Sequence, residues 1–241
     1  MTTSHQIALV TGGNKGLGFE TARQLARQGF TVWLGARDQA RGEAAVAALS
    51  GDGDVRFLQL DVTDSDSVDA AAQRVGQETG LDVLVNNAGV AVAEGDGRPS
   101  TVELDTIERT YAVNLLGPLR VTRAFLPLLR RSPAGRIVNV SSTLGSLTAV
   151  TSPGNPFAEV PAFAYTTSKT TLNAVTAWLA VELADTTIKV NSVCPGSNQT
   201  DMNAAGTQPA SEGAKIIVHA ATLSQDGPTG SFLDANGPVP W

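Results

Sequence analysis

Cysteine and histidine are nearly absent from this sequence: its 241 residues include one cysteine, Cys194, and two histidines, His5 and His219. One cysteine excludes an intramolecular disulfide, and no Cys/His cluster is left to hold zinc, so no metal site is expected. Cys194 ends an apolar run and reads as a buried structural thiol rather than a nucleophile. Long apolar runs are missing too, none approaching the roughly 18 residues of a membrane-spanning helix. The first apolar run, Ile7-Ala8-Leu9-Val10, is too short for a signal-peptide core and lacks a basic lead-in, which points to a cytoplasmic address. Positive charge is in deficit, with 17 Lys and Arg against 23 Asp and Glu and a net charge of −6. That balance disfavours nucleic acid or an anionic membrane as partner, so any bound phosphate must be held by a local site.

What is present is a regular alternation. Short apolar runs at 6–11, 31–36, 55–60, 82–86, 136–141, 188–194 and 231–233 read as strands. Stretches at 17–28, 38–49, 65–79, 103–115, 118–130, 162–184 and 211–223 read as helices, with Pro118 suited to open one of them. Trp33 in the second strand and Trp178 on the long helix read as core residues. Short apolar strands separated by helices are what a parallel sheet covered on both faces produces, and right-handed crossovers make it doubly wound. The expected fold is a single α/β domain over 1–241, a doubly wound Rossmann fold of about seven parallel strands with helices on both faces. No repeat, low-complexity tract or linker divides it. Loops at 91–100, 143–161 and 195–209 follow strands four, five and six, at the carboxyl ends where such sheets bind ligands.

The first strand runs into Thr11-Gly12-Gly13-Asn14-Lys15-Gly16-Leu17-Gly18, which opens directly into a helix. Gly12 permits a tight turn, Gly16 lets backbone approach a pyrophosphate, and Gly18 allows close helix–strand packing. The helix N-terminus then offers free N–H groups and a positive dipole end to the phosphates. A glycine-rich turn alone is weak evidence, but this one has the strand–turn–helix context that dinucleotide binding requires.

The spacing is Gly-x-x-x-Gly-x-Gly. With Asp61-Val62, Asn86-Asn87-Ala88-Gly89, Asn114, Ser141-Ser142, Tyr165-x-x-x-Lys169 and Pro195-Gly196 following in order, the sequence resembles the short-chain dehydrogenase/reductase family. The landmarks run from Thr11 to Gly196. The resemblance implies a cofactor half at about 1–135 and a catalytic and substrate half at about 136–241. It implies that Asp61 and Val62 flank the adenine, and that Asn87, Ala88 and Gly89 flank the adjoining ribose. Pro195, Gly196 and Thr200 would hold the nicotinamide carboxamide. Asn198 joins these cofactor contacts, although it stands where an apolar residue is usual. Strand two ends Gly35-Ala36-Arg37-Asp38, with Arg37 at or beside the position that meets the adenosine ribose. Arg37 and Lys15 suit a 2′-phosphate, hence NADP(H), while Asp38 is placed to cap the next helix.

Tyr165 and Lys169 lie four apart on one helical face. A phenol with its ordinary pKa near 10 is a poor proton exchanger at neutral pH, and a neighbouring ammonium is expected to lower that value, each unit being worth about 1.4 kcal/mol. In the family's pattern Ser142 holds the substrate oxygen, with Ser141 the competing choice. Lys169 also contacts the nicotinamide ribose, and Asn114 anchors a water leading protons to the lysine. Asn14 and Leu17 complete the cofactor turn. The implied activity is NADPH-dependent reduction of an aldehyde, ketone or quinone to an alcohol. An NADP-dependent alcohol or hydroxysteroid dehydrogenase running in reverse stays open, as does a non-catalytic NADP-sensing regulator.

Two departures from the family stand out. Ser142 and Tyr165 are 23 positions apart, where about a dozen is common. The proline-rich extra stretch, which includes Pro153, Pro156, Phe157 and Pro161, is similar to the monomeric carbonyl reductase branch and is expected to cover a surface that relatives use to form tetramers. A monomer follows as the expectation, with a dimer or tetramer as the alternatives. The segment between Met202 and the next helix is short, which implies an open pocket for bulky or varied small-molecule carbonyl substrates.

Overall fold

The computed structural model describes residues 6–78, 80–155 and 160–241, so His5, Thr79, Pro156 and Phe157 lie outside the described residues. Its organisation follows from alternation along single strands. In β1 (Ile7–Thr11), Ile7 and Leu9 face one layer and Ala8 and Val10 the other, and all are buried. A strand whose successive side chains point to opposite faces can be apolar throughout only if both faces are covered. Here α1 (Gly16–Arg27), α2 (Gln39–Ala48) and α8 (Ala210–Ala221) supply one cover. The other comes from α3 (Ser65–Glu78), α5 (Gly117–Leu129) and α7 (Phe163–Glu182). Asp38 caps α2 as expected, its carboxylate accepting from Arg41 N at 2.9 Å.

The remaining strands of the main sheet are β2 (Thr31–Ala36), β3 (Val55–Gln59), β4 (Val83–Asn86), β5 (Arg136–Val140), β6 (Lys189–Val193), β9 (Ser231–Asp234) and β10 (Gly237–Pro238). They pair in the order β10-β9-β6-β5-β4-β1-β2-β3. Seven are parallel, and β10 adds an antiparallel edge on β9 that the sequence did not signal. The chain winds outward from β1 through β2 to β3, then returns to the other side of β1 with β4. The crevice of a doubly wound sheet opens at that reversal, so the exits of β1 and β4 are the place to look for a ligand.

Two helical expectations need correction. The helix expected over 103–115 ends earlier, as α4 (Leu104–Tyr111), and passes through a π-helical turn (Ala112–Leu116) straight into α5, with no break before Pro118. The wider turn carries Asn114, and such bulges re-aim a side chain without ending the helix. Trp178 is not core: it is 74% exposed, while Trp33 is buried as expected. The buried stripe of α7 runs through Ala164, Ser168, Leu172, Thr176 and Ala180, four residues apart, and Trp178 lies on the opposite side of the helix. With Leu119 and Val175 it lines an open cavity of about 360 Å³. The described part of the loop before α7 therefore leaves this face of α7 uncovered.

Candidate active site

The turn after β1 is shaped by what it cannot accommodate. Gly12 and Gly16 have φ of +64° and +56°, in the left-handed region that favours glycine. A Cβ on Gly12 would sit 2.9 Å from Ala88 Cα, and one on Gly18 would sit 2.4 Å from both Gly12 O and Asn87 Nδ2. The turn is thus pressed against the exit of β4. Asn87 Nδ2 donates to Thr11 O at 2.9 Å and Gly12 O at 3.2 Å, while Thr11 Oγ1 accepts from Asn87 N and Ala88 N, both at 3.0 Å. Asn87 Nδ2 is therefore committed to the turn. Gly16 is different: a Cβ there would meet only Thr200, at 3.4 Å, which leaves backbone bare toward the crevice. Lys15 is the N-cap of α1 and makes no side-chain cap bond, so the helix end is open to an anion. Asn14 sits on the same turn, and Leu17 turns inward against the core.

The cations expected to meet the adenosine ribose are partnered differently from expectation. Arg37 is exposed at the exit of β2 and acts on Asp61. Burial raises the Asp61 carboxyl, but two hydrogen bonds from Thr63 and the charges of Arg37 and Arg120 outweigh it and hold the group below its usual range. Val62 is buried under Gly117. Lys15 does not stand free: its Nζ lies 2.6 Å from Asp201 in the segment after Gly196. The Asp201 carboxyl is lowered first by that hydrogen bond and charge, then by Arg41. Arg41, in the first turn of α2, is thus a third cation at this end. Sequence reasoning missed it, because its only signal was a position three residues after the Asp38 cap.

The segment after Pro195 forms a small knot. β7 (Asn198–Gln199) pairs with β8 (Gln208–Pro209), and Asn198 is buried. Its Nδ2 donates to Pro195 O at 3.0 Å and Gly196 O at 2.9 Å, and its Oδ1 accepts from Gln208 at 3.1 Å. The amide of Asn198 is thus satisfied within this segment, so a buried polar side chain is accommodated here without an unmade hydrogen bond.

Ser142, Tyr165, Lys169 and Asn114 converge beside this crevice. Ser142 follows β5 and its hydroxyl, which accepts from Leu144 N at 3.2 Å, lies near enough to act on the Tyr165 phenol, whereas the Ser141 hydroxyl is buried with no hydrogen-bond partner among the described residues. Lys169 Nζ sits 5.7 Å from the Tyr165 ring centroid and donates to Val140 O at 2.8 Å. Asn114 exchanges two hydrogen bonds with Val90, accepting from its N at 2.8 Å and donating to its O at 2.9 Å, and donates to Ser168 Oγ at 3.0 Å. Gly89 links the two regions: a Cβ there would lie 3.4 Å from Asn114 Oδ1 and 3.6 Å from Lys169 Nζ.

The expected lowering of the phenol pKa is overturned. Burial pushes Tyr165 up to about 12, and the nearby Ser142 hydroxyl offsets only part of this. Burial also pushes Lys169 down to about 8. Desolvation disfavours both charged forms and is the largest influence on each. Cys194 lies close enough to act on both groups. Its Sγ accepts from Thr143 N at 3.2 Å and Thr143 Oγ1 at 3.0 Å, so the buried thiol fixes the short 3₁₀ turn (Thr143–Gly145) that follows Ser142. Reading Cys194 as structural is right as far as it goes, but its place against the Tyr–Lys pair had no sequence signal.

Comparison with known proteins agrees with this geometry. The family model for short chain dehydrogenases matches residues 6–211. Salutaridine reductase of Papaver bracteatum is 37% identical, the alignment covering 97% of this chain and 96% of that protein. Carbonyl reductase [NADPH] 1 of Mus musculus is 34% identical over the whole of both chains. These alignments extend over 302 and 282 positions, so both relatives carry stretches that this 241-residue chain lacks. Among solved structures, NADPH-bound carbonyl reductase from chicken fatty liver superposes with a TM-score of 0.85 at 28% identity, covering 98% of this chain and 99% of that one. With the model matched across most of its length and relatives above 30% identity end to end, this chain belongs to the short-chain dehydrogenase/reductase family.

Proposed function

We propose that this protein reduces the carbonyl group of a small molecule to an alcohol, with NADPH as cofactor and Tyr165 as proton donor. The observation that carries the reading is the half-buried Tyr165, its phenol near Ser142 and one helical turn from Lys169, at the edge of a crevice whose glycine turn presents bare backbone. The cofactor supplies the hydride to the carbonyl carbon. The residues of this chain manage the oxygen: Ser142 Oγ orients it, and Tyr165 Oη delivers a proton as negative charge develops there. A phenol pushed up to about 12 keeps its proton until a stronger base forms beside it, and the alkoxide that develops during reduction is such a base. Lys169, pushed down to about 8, is an ammonium that gives up a proton readily, so it is suited to reprotonate Tyr165 after each turnover. Asn114, held by Val90 and Ser168, fixes the far side of the lysine pocket.

NADP(H) fits the residues present. The open end of α1 and the bare backbone at Gly16 suit a pyrophosphate, and Arg37, with Lys15 and Arg41 close by, suits a 2′-phosphate. Relatives named as NADPH carbonyl reductases support the same choice. A panel of 4-nitrobenzaldehyde, menthone and 2-methyl-1,4-naphthoquinone, followed by NADPH absorbance beside NADH and a Tyr165→Phe variant, tests it. Turnover with NADPH that Tyr165→Phe abolishes is expected; a fully active Tyr165→Phe ends the proton-donor assignment. A monomer in the cytoplasm is part of the same proposal. Light scattering reads the first, where a dimer would seat on the exposed Trp178 face, and cell fractionation reads the second.

A further inference from the structure

The helix that carries Tyr165 and Lys169 begins without a cap of its own. Its N-cap, Ala162, offers no side-chain acceptor, whereas α2 and α6 (Leu147–Thr151) are capped locally by Asp38 and Ser146. The free N–H groups at such an end need partners. They find them far back in the chain. Asp96 accepts from Ala164 N at 2.9 Å on Oδ1 and from Tyr165 N at 3.3 Å on Oδ2, and Gly97 O accepts from Phe163 N at 3.0 Å. The first three N–H groups of α7 are thus satisfied by two residues of the loop that follows β4.

That loop is built to hold the carboxylate still. Gly97 N donates to Asp96 Oδ1 at 2.8 Å, Glu103 N to Gly95 O at 2.8 Å, and Thr106 Oγ1 to Glu94 O at 2.9 Å. At its start, Val90 is tied to Asn114 through both backbone groups, and Asn114 reaches Ser168 Oγ, which donates to Tyr165 O at 2.6 Å. A closed ring of contacts therefore runs from Tyr165 through Ser168, Asn114 and the loop, and returns to Tyr165 at Asp96.

We infer that Asp96 is a positioning residue for the reaction: by capping the first turn of α7 from outside, it sets where the Tyr165 phenol stands relative to Ser142. The inference rests on Tyr165 being the proton donor. Tyr165 occupies the turn that frays when a cap is lost, and small displacements of a reacting group are costly. Among the described residues Asp96 bonds to Gly97 and the first turn of α7 and not to the glycine turn, Lys15, Arg37 or Arg41, so cofactor binding should not share the loss.

The test compares Asp96→Ala, Asp96→Asn and Tyr165→Phe in the full chain, using the fastest substrate of the panel above. It reads kcat, KM, NADPH affinity by fluorescence titration, and amide exchange at Ala164 and Tyr165. For Asp96→Ala, kcat should fall on the order of 10-fold or more, NADPH affinity should stay within about twofold, and both amides should exchange faster. Asp96→Asn, which keeps an acceptor for Ala164 N, should recover most of the rate, and it carries the test if the alanine variant fails to fold. An Asp96→Ala enzyme with full kcat overturns the inference, as does a loss of NADPH affinity in step with kcat or an asparagine variant as impaired as alanine. If those variants behave as wild type while Tyr165→Phe is inactive, only the role of Asp96 falls. If Tyr165→Phe stays active, the proton-donor reading falls and the inference with it.

Discussion

Lys169→Met should change how stability depends on pH, in a direction and size set by the burial of the ammonium. Lys169 is buried, donates to one carbonyl, and has its pKa pushed from 10.5 down to about 8. Below pH 8 the folded state therefore carries a charged amine at a cost that the unfolded chain does not bear. As pH rises through about 8 the native amine loses its proton while the unfolded one keeps it up to about 10.5. The unfolded state then binds more protons, so stability rises with pH across that window. Integrated between pH 7 and 9.5, the gain is about 2 kcal/mol. In Lys169→Met this gain is absent. The donor lost from Val140 O costs the variant a constant amount that cancels when each protein is compared with itself. Urea denaturation of both proteins at the two pH values, at unchanged m-value, measures the difference directly. The Tyr165 phenol is present in both proteins and largely drops out of the comparison. If wild type and variant move in parallel to within about 0.5 kcal/mol, Lys169 stays charged in the fold, and its proposed part in reprotonating Tyr165 loses its basis.

Three further outcomes are expected. Arg37→Glu places a carboxylate where a 2′-phosphate is proposed to lie, and should raise the KM for NADPH by on the order of 10-fold or more while leaving NADH far less affected; equal losses with both cofactors would remove Arg37 from the phosphate site. Asp201→Asn frees Lys15 from an ion pair exposed at both ends, and since a pair so exposed is heavily screened by solvent, NADPH should bind at most about fivefold tighter. Weaker binding would mean that Asp201 instead serves by tying the segment after Gly196 to the glycine turn. Gly18→Ala forces a Cβ to within 2.4 Å of Gly12 O, a backbone clash costing about 1–3 kcal/mol, visible as a lower melting temperature with NADPH affinity lost alongside; an unchanged melt would refute the packing argument.

What the sequence made legible and what it hid divide along a physical line. Strands such as 31–36 and 136–141 announced themselves because burial on both faces leaves an apolar run that little else in a chain of this composition produces. The glycine turn was legible because positive φ and near-contact with Ala88 and Asn87 each exclude side chains, so glycine there carries a conformational message. Tyr165 and Lys169 were legible as a pair because four residues make one helical turn. Their protonation was not. The ammonium was expected to pull the phenol down, but spacing says nothing of burial, and burial moves both groups the other way. Trp178 misled for a related reason: apolar and polar residues are mixed on every side of α7, and its buried stripe itself holds Ser168 and Thr176, so hydrophobicity alone could not say which side meets the sheet. Long-range ties were the least visible. Asp96 precedes the Ala164 N–H it caps by 68 positions, and Cys194 meets Thr143 across 51. No local pattern records either contact. Both converge on the turns that hold Tyr165 and Ser142, so the parts of this site that set its geometry are those a linear reading is least equipped to find, while the groups that do the chemistry are those it finds first.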